Sequence, residues 1–350
     1  MKLSISWYLV AGATATTTAI PGSDDPLNIP LRHHAVTELP PGSWIENLAV
    51  RKNGNLLLTT VLPDASLFEV VDPAGASPTL IRHFTIEQIT SLLGIAELTP
   101  DRFVVAGGNF SFVAGPAQGS FGLWSIDFND PSPQPSLLAD LPEARLLNGV
   151  IAAPEAQDVV LISDSFSNLV WRVNAATREV DIAANLQDAT NPGPHSALGI
   201  NGIKIHDGDL WWTNSTADTG AETNESQRAM YRIKVEKDGS PAPGAQPERM
   251  VQFQTPGLDD FVFGPGQNDL KWVATNSGDS IIAVNAEGRK AIVAGGDGSM
   301  DLTTTTACQF GRTQRDGRTL YVTTSGVEAD GESRGIPSMV QAIDTTGFDF

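Results

Sequence analysis

Cysteine is almost absent from this chain of 350 residues, since Cys308 is its only one. A lone cysteine forms no disulfide within the chain, so the fold must depend on a hydrophobic core. Hydrophobic residues make up 41% of the sequence, which is enough for a large core and excludes an intrinsically disordered chain. We expect Cys308 itself to act as a small buried hydrophobic residue.

Basic residues are also scarce. Lysine and arginine number 22 against 41 aspartates and glutamates, which gives a formal net charge of −19. Such a chain repels the phosphates of nucleic acids and the headgroups of anionic lipids. We therefore expect small-molecule substrates as partners, with neither nucleic acid nor a membrane surface among them. The sequence leaves the oligomeric state open.

The apolar N-terminal stretch is too short to span a bilayer and is typical of an export signal instead. Lys2 supplies a positive charge, Leu3 to Ala13 are mostly apolar, and small residues suited to signal cleavage follow. The sequence predicts a secretory signal peptide over residues 1–20. The mature protein, residues 21–350, would be secreted or would reside in the lumen of the secretory pathway. Glycosylation would then be open to Asn109, Asn214 and Asn224, each within an N-x-[ST] triplet.

Helical periodicity is nearly missing, with Thr85 to Leu93 as the one helix-like stretch. Six segments instead repeat the order strand, turn, strand, loop, strand at intervals typical of propeller blades. Their second strands are Leu56–Thr60, Phe103–Gly107, Val159–Asp164, Leu210–Asn214, Trp272–Asn276 and Leu320–Thr324. The pattern predicts an all-β, six-bladed β-propeller in one domain, with four-stranded antiparallel blades. Val36 to Leu39 would supply an outer strand that closes the ring with the last blade.

The first strands of the six repeats can be aligned on one apolar residue each. We then compare the residue that stands two positions before this apolar residue in each strand. These six positions hold Glu46, Leu93, Asn148, Asn201, Asp259 and Cys308. Equivalent positions of a propeller form a ring around its central channel, so four oxygen-bearing side chains should converge there. Carboxylate and amide oxygens suit one hard divalent cation, with Ca²⁺ favoured. As an alternative, Asn148 and Asn201, each followed by glycine, could be turn residues at strand entry.

A second polar tier follows from the ends of the second strands, which return to the same face of the propeller. It comprises Thr60, Asn109, Asp164, Asn214, Asn276 and Thr324. Four of these, Asn109, Asn214, Asn276 and Thr324, are candidate substrate-binding residues together with Asn148. Candidates for an apolar wall are Trp44, Phe110, Phe112 and Phe166, with packing between blades as the alternative. No phosphate-binding loop, zinc-protease motif or nucleophile elbow occurs, and we expect no organic cofactor.

With these residues in place, the chain resembles the gluconolactonase/regucalcin-like superfamily of six-bladed propellers. The resemblance implies that Glu46, Asn201 and Asp259 bind the cation and that Asn148 faces the substrate. It also makes Glu46, Asn148 and Asp259 the candidate catalytic residues. A fungal secreted branch of the superfamily is resembled by the runs Trp44–Arg51, Leu198–Ile203, Asp259–Phe261, Phe310–Thr313 and Leu320–Thr324.

One departure from the sugar lactonases of that superfamily concerns the substrate. They carry an Arg-x-Asn-Asp-Gly run, whereas this chain has Leu146 in place of the arginine and Gly149 directly after Asn148. The fungal branch resembles hetero-Diels–Alderases of tropolone–sesquiterpenoid biosynthesis, which would dehydrate a hydroxymethyl tropolone and join the product to a terpene alkene. Three functions stay open: such an enzyme, a cation-dependent lactonase acting on an apolar lactone, and a non-catalytic ligand-binding propeller.

Overall fold

The structure is a computed structural model that describes residues 26–187, 198–215, 228–265, 269–327 and 331–350. Every secondary-structure element that lies wholly within these residues is a β-strand. None of the described segments forms a helix that is long and apolar enough to cross a membrane. The predicted signal peptide, residues 1–20, lies outside the described residues.

The strands form six four-stranded antiparallel blades, which confirms the predicted fold class. Blade I contains β3 (Trp44–Val50), β4 (Leu56–Leu62), β5 (Ser66–Val71) and β6 (Thr79–Thr85). Blade II contains β7 (Ser91–Thr99), β8 (Arg102–Gly108), β11 (Gly122–Asp127) and β12 (Ser136–Asp140), with the small hairpin β9 (Phe110–Ser111) and β10 (Gly115–Pro116) inserted. Blade III contains β13 (Leu147–Ala152), β14 (Val159–Asp164), β15 (Leu169–Asn174) and β16 (Val180–Asn185).

The second half of the ring repeats this order from the inner strand outward. Blade IV contains β17 (Ile200–His206), β18 (Asp209–Asn214), β19 (Ala229–Lys234) and β20 (Glu248–Gln252). Blade V contains β21 (Phe261–Phe263), β22 (Lys271–Ala274), β23 (Ser280–Val284) and β24 (Lys290–Gly295), and β1 (Leu27–Asn28) adds to β24 in parallel. Blade VI contains β25 (Thr305–Phe310), β26 (Thr319–Thr324) and β27 (Ser338–Asp344).

The ring closes through the N-terminal part of the described chain. Strand β2 (His33–Leu39) pairs antiparallel with β27 and becomes the outer strand of blade VI. This pairing confirms the closure predicted for Val36 to Leu39. One blade therefore combines strands from both ends of the described chain, and the hydrogen bonds between β2 and β27 close the ring.

The hydrophobic core lies between neighbouring blades rather than in one central mass. One cluster packs Leu161 of blade III against Ile203 and Trp212 of blade IV, and all three side chains are buried. Another cluster packs Trp272 of blade V against Leu320 of blade VI. Because each blade lies between two others, its strands bury side chains on both faces. This explains why the strands of the repeat are runs of apolar residues instead of an alternating pattern.

Two sequence predictions are corrected by the strand register. The helix predicted for Thr85 to Leu93 is wrong, since Thr85 ends β6 and Ser91 begins β7. In blade VI, Thr305 pairs with Thr324 and Ala307 with Thr323, so the bulged residue at the ring position is Thr306. Cys308 lies two residues further along, buried in the core between blades V and VI, as expected for a small hydrophobic residue.

Hydroxyl groups on the second strands hold neighbouring blades in register. Each of three hydroxyls accepts a hydrogen bond from its own inner strand and donates one to the ring-residue carbonyl of the next blade. These donors are Thr59 to Leu93 (2.6 Å), Ser163 to Asn201 (2.5 Å) and Thr213 to Asp259 (2.6 Å). These hydrogen bonds fix the main chain of the ring residues without the help of a ligand, as a preorganised site requires.

A buried ion-pair network joins blades I and II on their outer part. The Glu69 carboxylate accepts hydrogen bonds from Arg51 (2.7 Å), Asn55 (2.8 Å) and the His83 ring (2.7 Å), and Arg51 also donates to Asp101. Burial by itself raises the pKa of Glu69, but these three donors outweigh it and lower the pKa to about 2. The network therefore stabilises the ionised carboxylate in the folded protein.

Replacing Glu69 by glutamine should destabilise the protein by about 2 kcal/mol, because it removes one of the two carboxylates that pair with the partly buried Arg51 and also the carboxylate that contacts His83. Denaturant unfolding at pH 7 measures this, with Glu248→Gln as the control, since Glu248 forms an exposed pair with Arg232. The Glu69 pKa is depressed, so its contribution is present above pH 4.5 and is lost as the pH falls from 4.5 towards 2. Equal stability of the two variants at pH 7 would contradict the prediction.

Candidate functional site

A cavity of about 140 Å³ lies at the end of the channel where the inner strands begin. Its oxygen-bearing lining comprises Glu46, Asn148, Asn201, Ser215, Asp259, Asn276 and Ser277. Its apolar lining comprises Trp44, Val61, Leu93, Phe110, Phe112, Leu146, Leu198, Pro256 and Leu258, with Gly257 beside them. The cavity thus combines a polar ring with an apolar wall, a composition suited to an oriented organic ligand.

The four polar ring residues predicted from the repeat lie together at this cavity. Glu46, Asn148, Asn201 and Asp259 are each at most 7% exposed, and all four line it. Leu93 occupies the fifth ring position. Asn148 and Asn201 lie within β13 and β17 at bulges of the strand pairing, so the alternative assignment of both to turns is wrong.

The glycines that follow these asparagines serve close packing of the blades. A Cβ atom on Gly202 would lie 2.3 Å from a carboxylate oxygen of Asp260, and one on Gly149 would lie 2.8 Å from the Asn201 carbonyl oxygen. Only glycine permits such an approach. The Asn-Gly pairs therefore combine a ring side chain with the space that the neighbouring inner strand requires.

Glu46 is buried at the ring and is held by one strong donor. The indole nitrogen of Trp44 donates a hydrogen bond to Glu46 Oε2 at 2.5 Å. Burial raises the pKa of Glu46 to about 7; the Trp44 hydrogen bond opposes this shift and the charge of Asp260 adds to it. Glu46 therefore changes its protonation state near neutral pH, where an ordinary glutamate is fully ionised.

Asp259 is the second carboxyl group of the ring. Burial, and then the charge of Glu46, raise the pKa of Asp259 well above its usual range, while the hydrogen bond from Asn276 opposes the shift. Asn276 Nδ2 donates to Asp259 Oδ2 at 2.7 Å. Both shifts disfavour two ionised carboxyl groups side by side, so the pair favours holding a shared proton.

The ring residues fit the chemistry of a hard divalent cation. Asn201 Oδ1 is buried and has no hydrogen-bond partner among the described residues, and the two carboxyl groups repel each other when both are ionised. A cation held by Glu46, Asn201 and Asp259 would occupy the unpaired oxygen and relieve the repulsion. When bound, it would supply positive charge that polarises a ligand oxygen.

The predicted second tier is only partly at the cavity. Asn276 lines it, whereas Asn109, Asn214 and Thr324 do not. The Asn214 side chain is fully buried, and Thr324 Oγ1 accepts a hydrogen bond from the Met339 main chain.

The physical reason for the difference is strand alternation, because successive side chains point to opposite faces of a strand. After β18 it is Ser215, one residue beyond Asn214, that lines the cavity. Ser215 could have been identified from the sequence by counting residues from the buried apolar residue of each second strand. Ser215 follows Trp212 in blade IV at the same distance along the chain as Asn276 follows Val273 in blade V.

An aromatic wall borders the mouth of the cavity. The Trp44 and Phe112 rings are 4.8 Å apart, and Phe112 lies edge-on to Phe110 at 5.0 Å. Phe110 begins the small hairpin β9–β10, whose main chain is tied at Phe110 to the Thr90 hydroxyl. The wall therefore joins blades I and II, and it places an apolar surface next to the Trp44–Glu46 hydrogen bond.

A second group of candidate metal ligands lies at the opposite end of the inner strands. His206 Nε2 is 2.8 Å from an Asp269 carboxylate oxygen and 3.6 Å from one of Asp207. All three side chains are partly or largely exposed, and none of them lines the cavity.

The comparisons with known proteins agree with this architecture. No protein-family profile matches the chain. A protein of Phoma sp that is named as a hetero-Diels-Alderase is 34% identical over 335 residues, covering 88% of this chain and 90% of that protein. The chain belongs to the hetero-Diels-Alderase family. A second member, from Sarocladium schorii, is 32% identical over 361 residues, covering 94% of this chain and 87% of that protein.

Solved structures confirm the resemblance to the gluconolactonase/regucalcin propellers at the level of the fold. Regucalcin from Agrobacterium tumefaciens, a calcium-binding protein, is 14% identical with a TM-score of 0.60, covering 91% of this chain and 95% of that chain. A gluconolactonase from Xanthomonas campestris is 12% identical with a TM-score of 0.58, covering 95% and 98% of the two chains. At these identities the similarity concerns the fold alone.

Proposed function

We propose that this protein dehydrates a hydroxymethyl tropolone to an o-quinone methide and guides its stereoselective cycloaddition with a terpene alkene. One observation carries the proposal: two buried carboxyl groups with raised pKa values, Glu46 and Asp259, lie in a cavity with an extensive apolar wall. Dehydration needs an acid and a base side by side, and cycloaddition needs an apolar enclosure for two reactants. The family names of the relatives support this assignment.

In the dehydration step the two carboxyl groups take opposite roles. Asp259, whose pKa is raised further by the charge of Glu46, donates its proton to the leaving hydroxyl, and the C–O bond breaks as water departs. Glu46, ionised and held by Trp44, accepts the proton of the ring hydroxyl. The substrate loses one water in total, and the proton is restored to Asp259 by exchange with solvent.

The cycloaddition asks for no further proton transfer. Asn148, Asn201 and Asn276 offer amide groups that orient the ligand oxygens, and Trp44, Phe110 and Phe112 offer apolar surface to the alkene. Holding two reactants in contact accelerates such a reaction by lowering its entropic cost. Leu146 lies in the lining where the sugar lactonases carry arginine, which favours an apolar substrate over an aldonolactone.

The direct test is incubation of purified protein with a hydroxymethyl tropolone and a sesquiterpene alkene. Chromatography with mass detection should show a cycloadduct whose mass equals the two reactants minus water, and chiral separation should show one stereoisomer. Heat-denatured protein is the control. Equal yields and a mixture of stereoisomers with and without active protein would overturn the proposal. Hydrolysis of an apolar lactone panel in the same assay would favour the lactonase instead.

The dehydration rate should rise with pH through about 7, because Glu46 acts as the base and its pKa is about 7. It should fall again at higher pH, when Asp259 loses its proton. A pH–rate profile between pH 5 and pH 10 measures both limbs, with cycloaddition of chemically generated quinone methide as the pH-independent control. A dehydration rate that falls as the pH rises through 7 would reverse the assigned roles.

The proposal places the enzyme outside the cytosol. The predicted signal peptide supports a protein that passes through the secretory pathway, and a core of this size needs no disulfide there. Glycan mapping of the protein expressed in a fungal host, with N-terminal sequencing of the mature form, tests this part separately from the chemistry.

A further inference from the structure

Ser215 follows β18 and lies between two partners at the cavity. Its Oγ atom is 3.0 Å from Asn201 Nδ2 and in close hydrogen-bond contact with the Leu258 carbonyl oxygen. Ser215 is 6% exposed and Asn201 is 5% exposed, so water does not compete for these contacts. The serine hydroxyl therefore connects the ring asparagine of blade IV to the main chain that precedes Asp259.

The direction of both hydrogen bonds follows from the chemistry of the groups. A carbonyl oxygen only accepts, so the single hydrogen of the Ser215 hydroxyl must point to Leu258. The hydroxyl can then only accept from Asn201, which requires the NH₂ end of the carboxamide to face Ser215. The carbonyl end, Asn201 Oδ1, must face away, where it is buried and has no partner among the described residues.

A second contact favours the same orientation. Asn201 also lies beside Asp259, and its amide lowers the pKa of that carboxyl group by favouring the ionised form. Only the NH₂ end has two hydrogens and can serve both Ser215 and Asp259. A flipped amide would place its oxygen against the Ser215 hydroxyl oxygen, whose hydrogen points to Leu258, and that contact would lose its hydrogen.

We propose that Ser215 is a positioning residue that locks the Asn201 carboxamide with its carbonyl oxygen towards the cavity. The site then presents an unpaired acceptor, and it selects ligands that bring a hydroxyl group over ligands whose oxygen can only accept. Leaving a buried acceptor unpaired costs free energy, so a methyl ether in place of the hydroxyl binds less tightly. The assignment of the selected hydroxyl to a tropolone rests on the proposed function; the lock itself does not.

Blade III contains a matched comparison. Ser165 follows β14 at the position that Ser215 has after β18, since Leu147 pairs with Asp164 as Ile200 pairs with Asn214. Ser165 is also fully buried, but its Oγ atom has no hydrogen-bond partner among the described residues. Ser165→Ala therefore removes an equivalent hydroxyl from the neighbouring blade without removing an amide lock.

The orientation of Asn201 is measured by hydrogen exchange of its side-chain NH₂ group, using selective ¹⁵N-asparagine labelling and assignment by loss of the signal in Asn201→Asp. Both hydrogens should exchange slowly in the wild type and in Ser165→Ala. In Ser215→Ala we expect exchange at least about tenfold faster, since one hydrogen bond is worth about a factor of ten. Unchanged exchange in Ser215→Ala, or wild-type exchange as fast as that of an exposed asparagine, would overturn the lock.

Selectivity is measured by calorimetric titration with tropolone and with its methyl ether. The wild type and Ser165→Ala should bind tropolone about tenfold more tightly than the ether, and Ser215→Ala should reduce this ratio to about threefold or less. An equal ratio in all three proteins would overturn the role of the lock in selection. Binding of neither probe to the wild type would overturn the tropolone assignment and the proposed function, while hydrogen exchange alone would still decide the role of Ser215.

Discussion

Asp259→Asn should reduce the dehydration rate by about 10²–10⁴-fold, the usual loss when a general acid is removed. Asparagine has nearly the same shape and still accepts the hydrogen bond that Asn276 donates to Asp259 Oδ2. It cannot transfer a proton to the leaving hydroxyl at neutral pH. The effect should therefore fall on the turnover number, with little change in the Michaelis constant.

The same variant should retain most of the cycloaddition of chemically generated quinone methide, because that step needs no acid. Stopped-flow absorbance of the quinone methide and product analysis separate the two steps. Asp269→Asn is the control, since Asp269 lies outside the cavity and pairs with His206. Full dehydration activity in Asp259→Asn would remove Asp259 from the mechanism, and an equal loss in both steps would indicate damage to binding instead.

The fold could be predicted from the sequence because each blade repeats one pattern of buried strands. A repeat that packs against its neighbours must keep its apolar residues at equivalent positions, and this preserves the alignment of the inner strands. The closing strand could also be predicted, since the last blade has one strand too few without it. The conformation of Thr85 to Leu93 could not be predicted in this way, because a short apolar run is compatible with either a helix or an inner strand.

The ring could be located in the same way for five blades and not for the sixth. In blade VI the ring position is Thr306, two residues before Cys308, and it lies at the same bulge as Glu46 in blade I. The prediction missed it because Cys308 itself takes the aligned apolar position in this strand. The prediction that Asn214 lies at the cavity failed for a different reason. Successive residues of a strand point to opposite faces, so Ser215, the next residue, lines the cavity instead.

Contacts between side chains of different strands were beyond sequence reasoning altogether. The Trp44–Glu46 hydrogen bond, the Asn276–Asp259 hydrogen bond and the burial that raises both carboxyl pKa values depend on the closed ring. Sequence spacing placed the four oxygens around one axis and favoured a cation. The structure adds that burial raises the pKa values of the same carboxyl groups, so proton and cation compete for one site.

Because proton and cation compete for the ring, we expect Ca²⁺ to inhibit the dehydration. Saturating Ca²⁺ should lower the dehydration rate at pH 7 by about tenfold or more, because cation binding requires ionised carboxylates and displaces the acid proton from Asp259. Treatment with a chelator should leave the dehydration rate within about twofold of its starting value, since the proposed acid and base need no metal. A cation-dependent lactonase would show the reverse, with activity lost in chelator and restored by Ca²⁺.

The binding measurement gives the same distinction without turnover. Calorimetric titration of Ca²⁺ in two buffers of different ionisation enthalpy should reveal release of about one proton per bound cation at pH 7. Affinity should fall as the pH is lowered through 7, where Glu46 takes up its proton. Asn201→Leu should weaken Ca²⁺ binding by removing the unpaired oxygen, with Ser165→Ala as the neutral control. If Ca²⁺ binds without proton release and accelerates dehydration, the ring acts through the cation, and the acid–base roles given to Asp259 and Glu46 are wrong.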